Sequence, residues 1–324
     1  MERLNVKKGD NMKSLIKGLI ASITLTVGIS ANAAQDVQIY TTDNSKGNVT
    51  GASIEKAFED AGFLLSANKD MNIAFKSKFQ ATNDKMYHLM TVHSPKHVVE
   101  LVKITPDAAL FAPLSMSIYM HNGSNDISIS SLTIDGMAKV TGIPASNKHM
   151  QSYAKLVHKA LAKALPNGHF EKTSYKTLKP EGDLVTRFTY EMELEEGTDM
   201  QEELDGIQEE LESSVETLGF VIAGFNRLGD EFVEAGYEKY DFFDAYSLCK
   251  LPVIFEVSKT HPEAGSFAPC TLYMYKEKGS KTIHLAFPTV YNWLSSIDIK
   301  DEASRKILID AQKKLASVIN EVTE

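Results

Sequence analysis

The sequence predicts an α+β protein of two tandem similar domains, each a mostly antiparallel sheet with helices packed on one face. Three observations carry this reading. Phe111-Ala112-Pro113 recurs as Phe267-Ala268-Pro269, 156 positions later. Pro106-Asp107-Ala108 recurs as Pro262-Glu263-Ala264 at the same offset, and Gly62-Phe63 as Gly219-Phe220 at 157. Segments that alternate with period two are joined by hairpin signals and interleaved with helical stripes, the pattern of a sheet covered by helices.

The expected domains are 36–168 and 184–324, joined by a polar linker over 169–183. Before them, Lys13 and Lys17, an apolar stretch from Leu19 to Ile29 and Ala31-Asn32-Ala33 form a three-part secretory signal. Region 1–33 is therefore expected to be removed after Ala33, with Met12 as a plausible start, and the protein to reside in the periplasm. The apolar stretch is too short to span a bilayer, so no transmembrane anchor is expected after cleavage. The chain carries a formal net charge of −9, and residues 1–33 hold five basic and two acidic side chains. The remainder therefore has 29 basic and 41 acidic groups. Such an acidic body repels phosphate backbones, which argues against nucleic acid as a partner.

In the first domain, Val37 to Thr42 reads as an opening strand. Ile54, Ala57, Phe58 and Ala61 fall at helical spacing, and Gly62 supplies the stop. Phe63 to Leu65 reads as a short strand, Met71 to Phe79 fits either helix or strand, and Met86 to Val92 reads as a strand. Ser94-Pro95 gives an N-cap and a proline at the first helical position, followed by Val98, Val99, Leu101 and Val102. Met116, Ile118 and Met120 alternate, Asn122-Gly123 turns the hairpin, and Ile127 and Ile129 return. A helix from Met150 to Leu165 closes the domain. The second domain repeats the order. It has a strand over 184–194 and a helix with Leu204, Ile207, Leu211, Val215 and Leu218 on one face. A return strand carries Ile283, Leu285 and Phe287, and a closing helix spans 303–322.

In the second domain, Tyr246-Ser247-Leu248-Cys249, a helix, Pro262-Glu263-Ala264 and Phe267-Ala268-Pro269-Cys270 stand in order before Leu272-Tyr273-Met274-Tyr275-Lys276-Glu277. This resembles the bacterial family catalogued as domain of unknown function 302, whose members show a Pro-Cys step entering a strand. The first domain is similar to a diverged copy, with Leu114 in place of the Cys. The resemblance implies a compact α+β fold in two tandem copies. It brings no established activity, cofactor or catalytic residues.

Few residues suggest chemistry. Cys249 and Cys270 are the only cysteines. In an oxidising compartment such a pair reads as a disulfide, and otherwise as a thiol pair. His93, His97, Met116 and Met120 combine imidazole with soft sulfur and are the candidate metal ligands. Haem could use the same residues, although no Cys-x-x-Cys-His is present. The alternation of Met116 and Met120 reads more simply as core. The acidic run from Glu193 through Glu195, Glu196, Asp199, Glu202 and Glu203 to Glu212 reads as a solvated helix face with its preceding turn. Tyr237, Tyr240, Phe242, Phe243 and Tyr246 read as core or a pocket wall. There is no Gly-x-Ser-x-Gly, phosphate-binding loop, dinucleotide fingerprint or His-Glu-x-x-His. Triads built from distant residues stay open, because geometry alone defines them. The function expected is a non-catalytic periplasmic binding or accessory module with a small-molecule or protein partner, its ligand sought in the cleft between the domains. The alternative is thiol-redox or metal/haem-linked work centred on Cys249 and Cys270.

Overall fold

Strand β1 (Val37–Asp43) runs antiparallel between β5 (Asp126–Leu132) and the two-residue β6 (His169–Phe170). The first sheet has the order β2-β3-β4-β5-β1-β6, with β2 at Leu64–Asp70, β3 at Met86–His93 and β4 at Leu114–Met120. The second sheet has the order β7-β11-β10-β9-β8. Its strands are β7 (Val185–Glu191), β8 (Val221–Arg227), β9 (Tyr240–Cys249), β10 (Cys270–Glu277) and β11 (Thr282–Pro288). All these pairings are antiparallel. The computed structural model describes residues 35–173, 176–192 and 200–324. The expected signal segment, Glu193, Glu195, Glu196 and Asp199 lie outside the described residues.

The helices of the first half are α1 (Gly51–Glu59), α2 (Met71–Phe79), α3 (Pro95–Val102), α4 (Ile134–Thr141) and α5 (Lys148–Ala164). Those of the second are α6 (Met200–Thr217), α7 (Leu228–Glu234), α8 (Leu251–Ser258), α9 (Tyr291–Ser296) and α10 (Glu302–Thr323). Thr50 opens α1 with a capping box, Asn147 caps α5 and Asp301 caps α10, each supplying an acceptor to N–H groups that the helix leaves free. Gly62, at φ +104°, ends the α1 segment in a conformation that costs other residues a steric penalty. Ser94 stands at the N-cap of α3, but its hydroxyl bonds His97 Nδ1 at 2.9 Å and caps no backbone N–H. On α6, Leu204, Ile207, Leu211 and Val215 are buried while Glu202, Asp205, Glu209 and Glu210 are exposed, the solvated acidic face expected.

Met71 to Phe79 is a helix. The stretch expected as a linker begins by adding β6 to the first sheet. Three short helices, α4, α7 and α9, give no sequence signal long enough to register. Gly136 in α4 packs against Asp36, whose carbonyl oxygen would lie 2.1 Å from an added Cβ.

The described residues form one compact unit, because the halves interlock. A 3₁₀ turn at Pro106–Phe111 packs on β10, and its counterpart at Pro262–Phe267 packs on β4 and β5. Each turn leads into a cis Ala-Pro bond. The contacts are reciprocal: Ser115 Oγ donates to Pro269 O at 2.8 Å, and Thr271 Oγ1 to Pro113 O at 3.4 Å. Ser117 and Tyr87 both donate to Pro262 O, at 2.7 and 3.1 Å. Phe79 of α2 stacks on Phe255 of α8 with ring centroids 4.1 Å apart.

Candidate functional site

The largest difference between the halves lies beneath their helices. In the second half, α8, α9, α10 and the ends of β9, β10 and β11 line a partly open pocket of about 50 Å³. Its wall is apolar, with Leu248, Ile254, Phe287, Trp293, Leu308 and Ala311, and it includes Cys249 and Cys270. Two polar residues also line it, and both are engaged. Lys250 Nζ donates to Leu218 O at 2.6 Å and sits over the Phe220 ring, 4.6 Å from its centroid. Gln312 Oε1 accepts from Val290 N at 2.6 Å. The lining therefore offers apolar surface and two thiols.

In the first half, the region beside Phe63 and His97 holds an aromatic ring from α5. Fully buried Tyr153 on α5 lies 6.1 Å from the Phe63 ring and 5.7 Å from the His97 ring, centroid to centroid. Its hydroxyl donates to Phe111 O at 3.4 Å. In the second half the equivalent carbonyl, Phe267 O, receives Cys270 Sγ at 3.5 Å. At this carbonyl a thiol from the strand thus stands where the first half has a hydroxyl from the helix.

The disulfide expected between Cys249 and Cys270 is not formed; both are free thiols. Cys270 pairs with Leu248, and Cys249 stands one residue further along its strand, so the two are not a directly facing pair. Burial pushes each thiol up to about 12. Neither is a thiolate at neutral pH, and the thiolate is the nucleophilic and metal-binding form. That weighs against the redox alternative.

The metal candidates do not converge. Met116 faces its cross-strand partner Met90 and Met120 faces Met86; all three of Met90, Met116 and Met120 are buried core. His93 points from the other face of β3, where its Nε2 lies 2.8 Å from Glu231 Oε1. His97 sits on α3 between Ser94 and Ser152. Among the described residues no group of three or more His, Cys, Asp or Glu side chains could hold a metal ion.

The aromatic run of β9 is core: Phe243 stacks with Tyr275 at 5.0 Å and meets Phe232 edge-on at 5.3 Å. Between the halves, where a ligand cleft was expected, the reciprocal proline contacts leave a smaller cavity of about 30 Å³. Sequence reasoning missed Trp293, Ala311 and Lys250 as lining residues. The one signal available was that Trp293 is the only tryptophan.

No protein-family model matches the chain, and no curated protein matches it. Among solved structures, it is similar to an uncharacterized conserved protein DUF302 from Bacillus stearothermophilus. The two are 22% identical, and the match covers 43% of this chain and 98% of that one, with a TM-score of 0.34. No helix among the described residues is long and apolar enough to cross a membrane.

Proposed function

We propose that this is an exported, internally duplicated protein of the domain-of-unknown-function-302 type whose second half binds a small apolar ligand. Export rests on the three-part signal pattern ending at Ala33. Duplication rests on the recurring sequence motifs, the shared element order and the reciprocal Ser115–Pro269 and Thr271–Pro113 contacts. One observation carries the binding role: the second half holds an apolar pocket with two thiols in its wall.

Size and lining define the ligand class. A water needs about 10–15 Å³ of such space, so about 50 Å³ holds roughly three to five water-sized spheres. A pocket with so apolar a lining favours an apolar guest. Cys249 and Cys270 add polarizable sulfur, which favours a soft molecule of a few heavy atoms over a hydrogen-bonding one.

Trp293 reports the site directly, because no other indole contributes to the signal. Bromoform, a four-heavy-atom apolar probe that quenches an indole on contact, is expected to quench this fluorescence saturably. Ala311→Leu, which adds three carbons to the wall, is expected to abolish the saturable part while leaving the fold intact. Quenching that rises linearly with concentration in both proteins contradicts the proposal.

A further inference from the structure

We infer that Ser66, His93 and Glu231, with Asn226, form an acyl-transfer site for small esters at the seam between β2 and β8. This activity lies outside the cavity just described, does not rest on it, and departs from the expectation of a protein without catalysis.

The arrangement is a relay of three side chains from two halves of the chain. Ser66 Oγ lies 3.3 Å from His93 Nδ1, and His93 Nε2 lies 2.8 Å from Glu231 Oε1. With the imidazole proton on Nε2 and donated to Glu231, Nδ1 is free to accept the Ser66 proton. These are the roles of nucleophile, base and orienting carboxylate, defined by geometry and independent of chain order. Ser66 Oγ also donates to Asn226 Oδ1 at 3.3 Å, so the hydroxyl must turn its one proton from Asn226 to His93 Nδ1 to act as the nucleophile. Asn226 Nδ2 is buried and has no partner, and a half-turn of the carboxamide would exchange it with Oδ1 and present a donor beside Ser66 for the oxyanion. Thr91 Oγ1, two residues before His93 on the same face of β3, is likewise buried without a partner.

The backbone explains how Ser66 is aimed. The β2–β3 ladder pairs Leu65 with Val92 and Ala67 with Thr91, so Ser66 is the unpaired residue of a bulge. Bulges re-aim side chains and recur beside active sites. The second half has the same irregularity between Ile222 and Gly224, and there the skipped residue is Ala223. The partner of Leu64 is His93, whereas the partner of the equivalent Val221 is Cys249. Ser66 and His93 therefore occur together once, in a chain whose scaffold is written twice. His93 is buried while Ser66 and Asn226 are part-exposed, so the base is shielded and the nucleophile is reachable. Leu64, opposite His93 in the ladder, is 51% exposed and gives an apolar wall for an acyl group.

In the reaction, Ser66 Oγ bonds to the ester carbonyl carbon and its proton passes to His93 Nδ1. The carbonyl oxygen carries the negative charge and accepts from Asn226 Nδ2. Collapse breaks the bond to the alcohol oxygen, which takes the proton from His93 and departs as alcohol. Water then attacks the acyl-Ser66 carbonyl, giving its proton to His93. Release of Oγ, which recovers that proton, yields the carboxylic acid and free enzyme.

The test is labelling of the full chain with a fluorophosphonate, which loses fluoride to an activated serine, and mapping of the adduct by mass spectrometry. An adduct on Ser66 is expected, absent in Ser66→Ala. Its rate is expected to fall about 100-fold or more in His93→Gln and about 100-fold in Asn226→Ala. Circular dichroism establishes that each variant is folded, and the part-exposed Asn226 keeps the test decisive if His93→Gln is not. No adduct on Ser66 of the folded wild type overturns the inference. So does an adduct whose rate is unchanged in folded Asn226→Ala.

Discussion

Gly265→Ala is expected to lower stability by about 3–5 kcal/mol, through overpacking and lost hydrogen bonds together. Gly265 sits in the 3₁₀ turn that crosses the first sheet. A Cβ there would lie 2.4 Å from Ser117 Cβ and 2.7 Å from Leu89 Cδ2. Neither neighbour yields easily, since Ser117 Cβ is fixed by its strand and Leu89 is buried. The turn must lift away, and four hydrogen bonds lengthen with it. They run from Ser117 and Tyr87 to Pro262 O, from Ser130 to Glu263 O and from Ser115 to Pro269 O. The same chemical change at Gly206 has the opposite expected sign. Gly206 lies in α6, an added Cβ meets nothing within 4 Å, and alanine there gains up to about 1 kcal/mol of helix propensity. Urea unfolding of both variants checks this, and equal midpoints would remove the interlock from the account.

The second large effect depends on pH. Burial raises Glu263 from an ordinary 4.5 to about 7, and the neighbouring acids Glu171 and Asp84 push in the same direction. Between those two pH values the folded chain holds a proton that the unfolded chain has released. Stability therefore falls as pH rises from about 4.5, and the full penalty of about 3 kcal/mol is present by pH 8. Glu263→Gln keeps the shape and removes the ionisation. The variant is expected to be about 3 kcal/mol more stable than wild type at pH 8 and nearly equal to it at pH 4.5. Asp244, raised to about 6 mainly by burial, adds a slope of the same sign that persists in the variant. Unfolding curves at both pH values decide it; a variant gain that is the same at pH 4.5 and 8 contradicts the assignment.

Much of the fold was legible because its signals are local. Hairpin turns, capped amphipathic helices and alternating strands each announce themselves within about ten residues, and the repeated motifs exposed the shared order. The interlock was not legible. Ser115, Ser117 and Ser130 fall at polar positions of alternating strands, yet all three are buried and donate to backbone carbonyls of the other half. Nothing in a strand's own alternation reveals which polar residues will meet a partner layer. Cys249 and Cys270 were singled out as a disulfide or thiol pair, and the structure holds them as free thiols. Even number and compartment suggested a bond, while strand register sets Cys270 against Leu248 and leaves two thiols in a cavity wall. Ser66 escaped notice because a bulge is a feature of pairing, and its partners His93, Asn226 and Glu231 lie between 27 and 165 positions further along the chain.

The central claim is that the second half is a receptor for a small apolar guest and the first is not. Crystals of the protein pressurised with xenon test this most directly. The account expects one ordered xenon atom against Trp293, Leu308 and Cys270, and none beside Tyr153. Xenon absent from the cavity of the second half, or bound at Tyr153 in its place, would contradict the account.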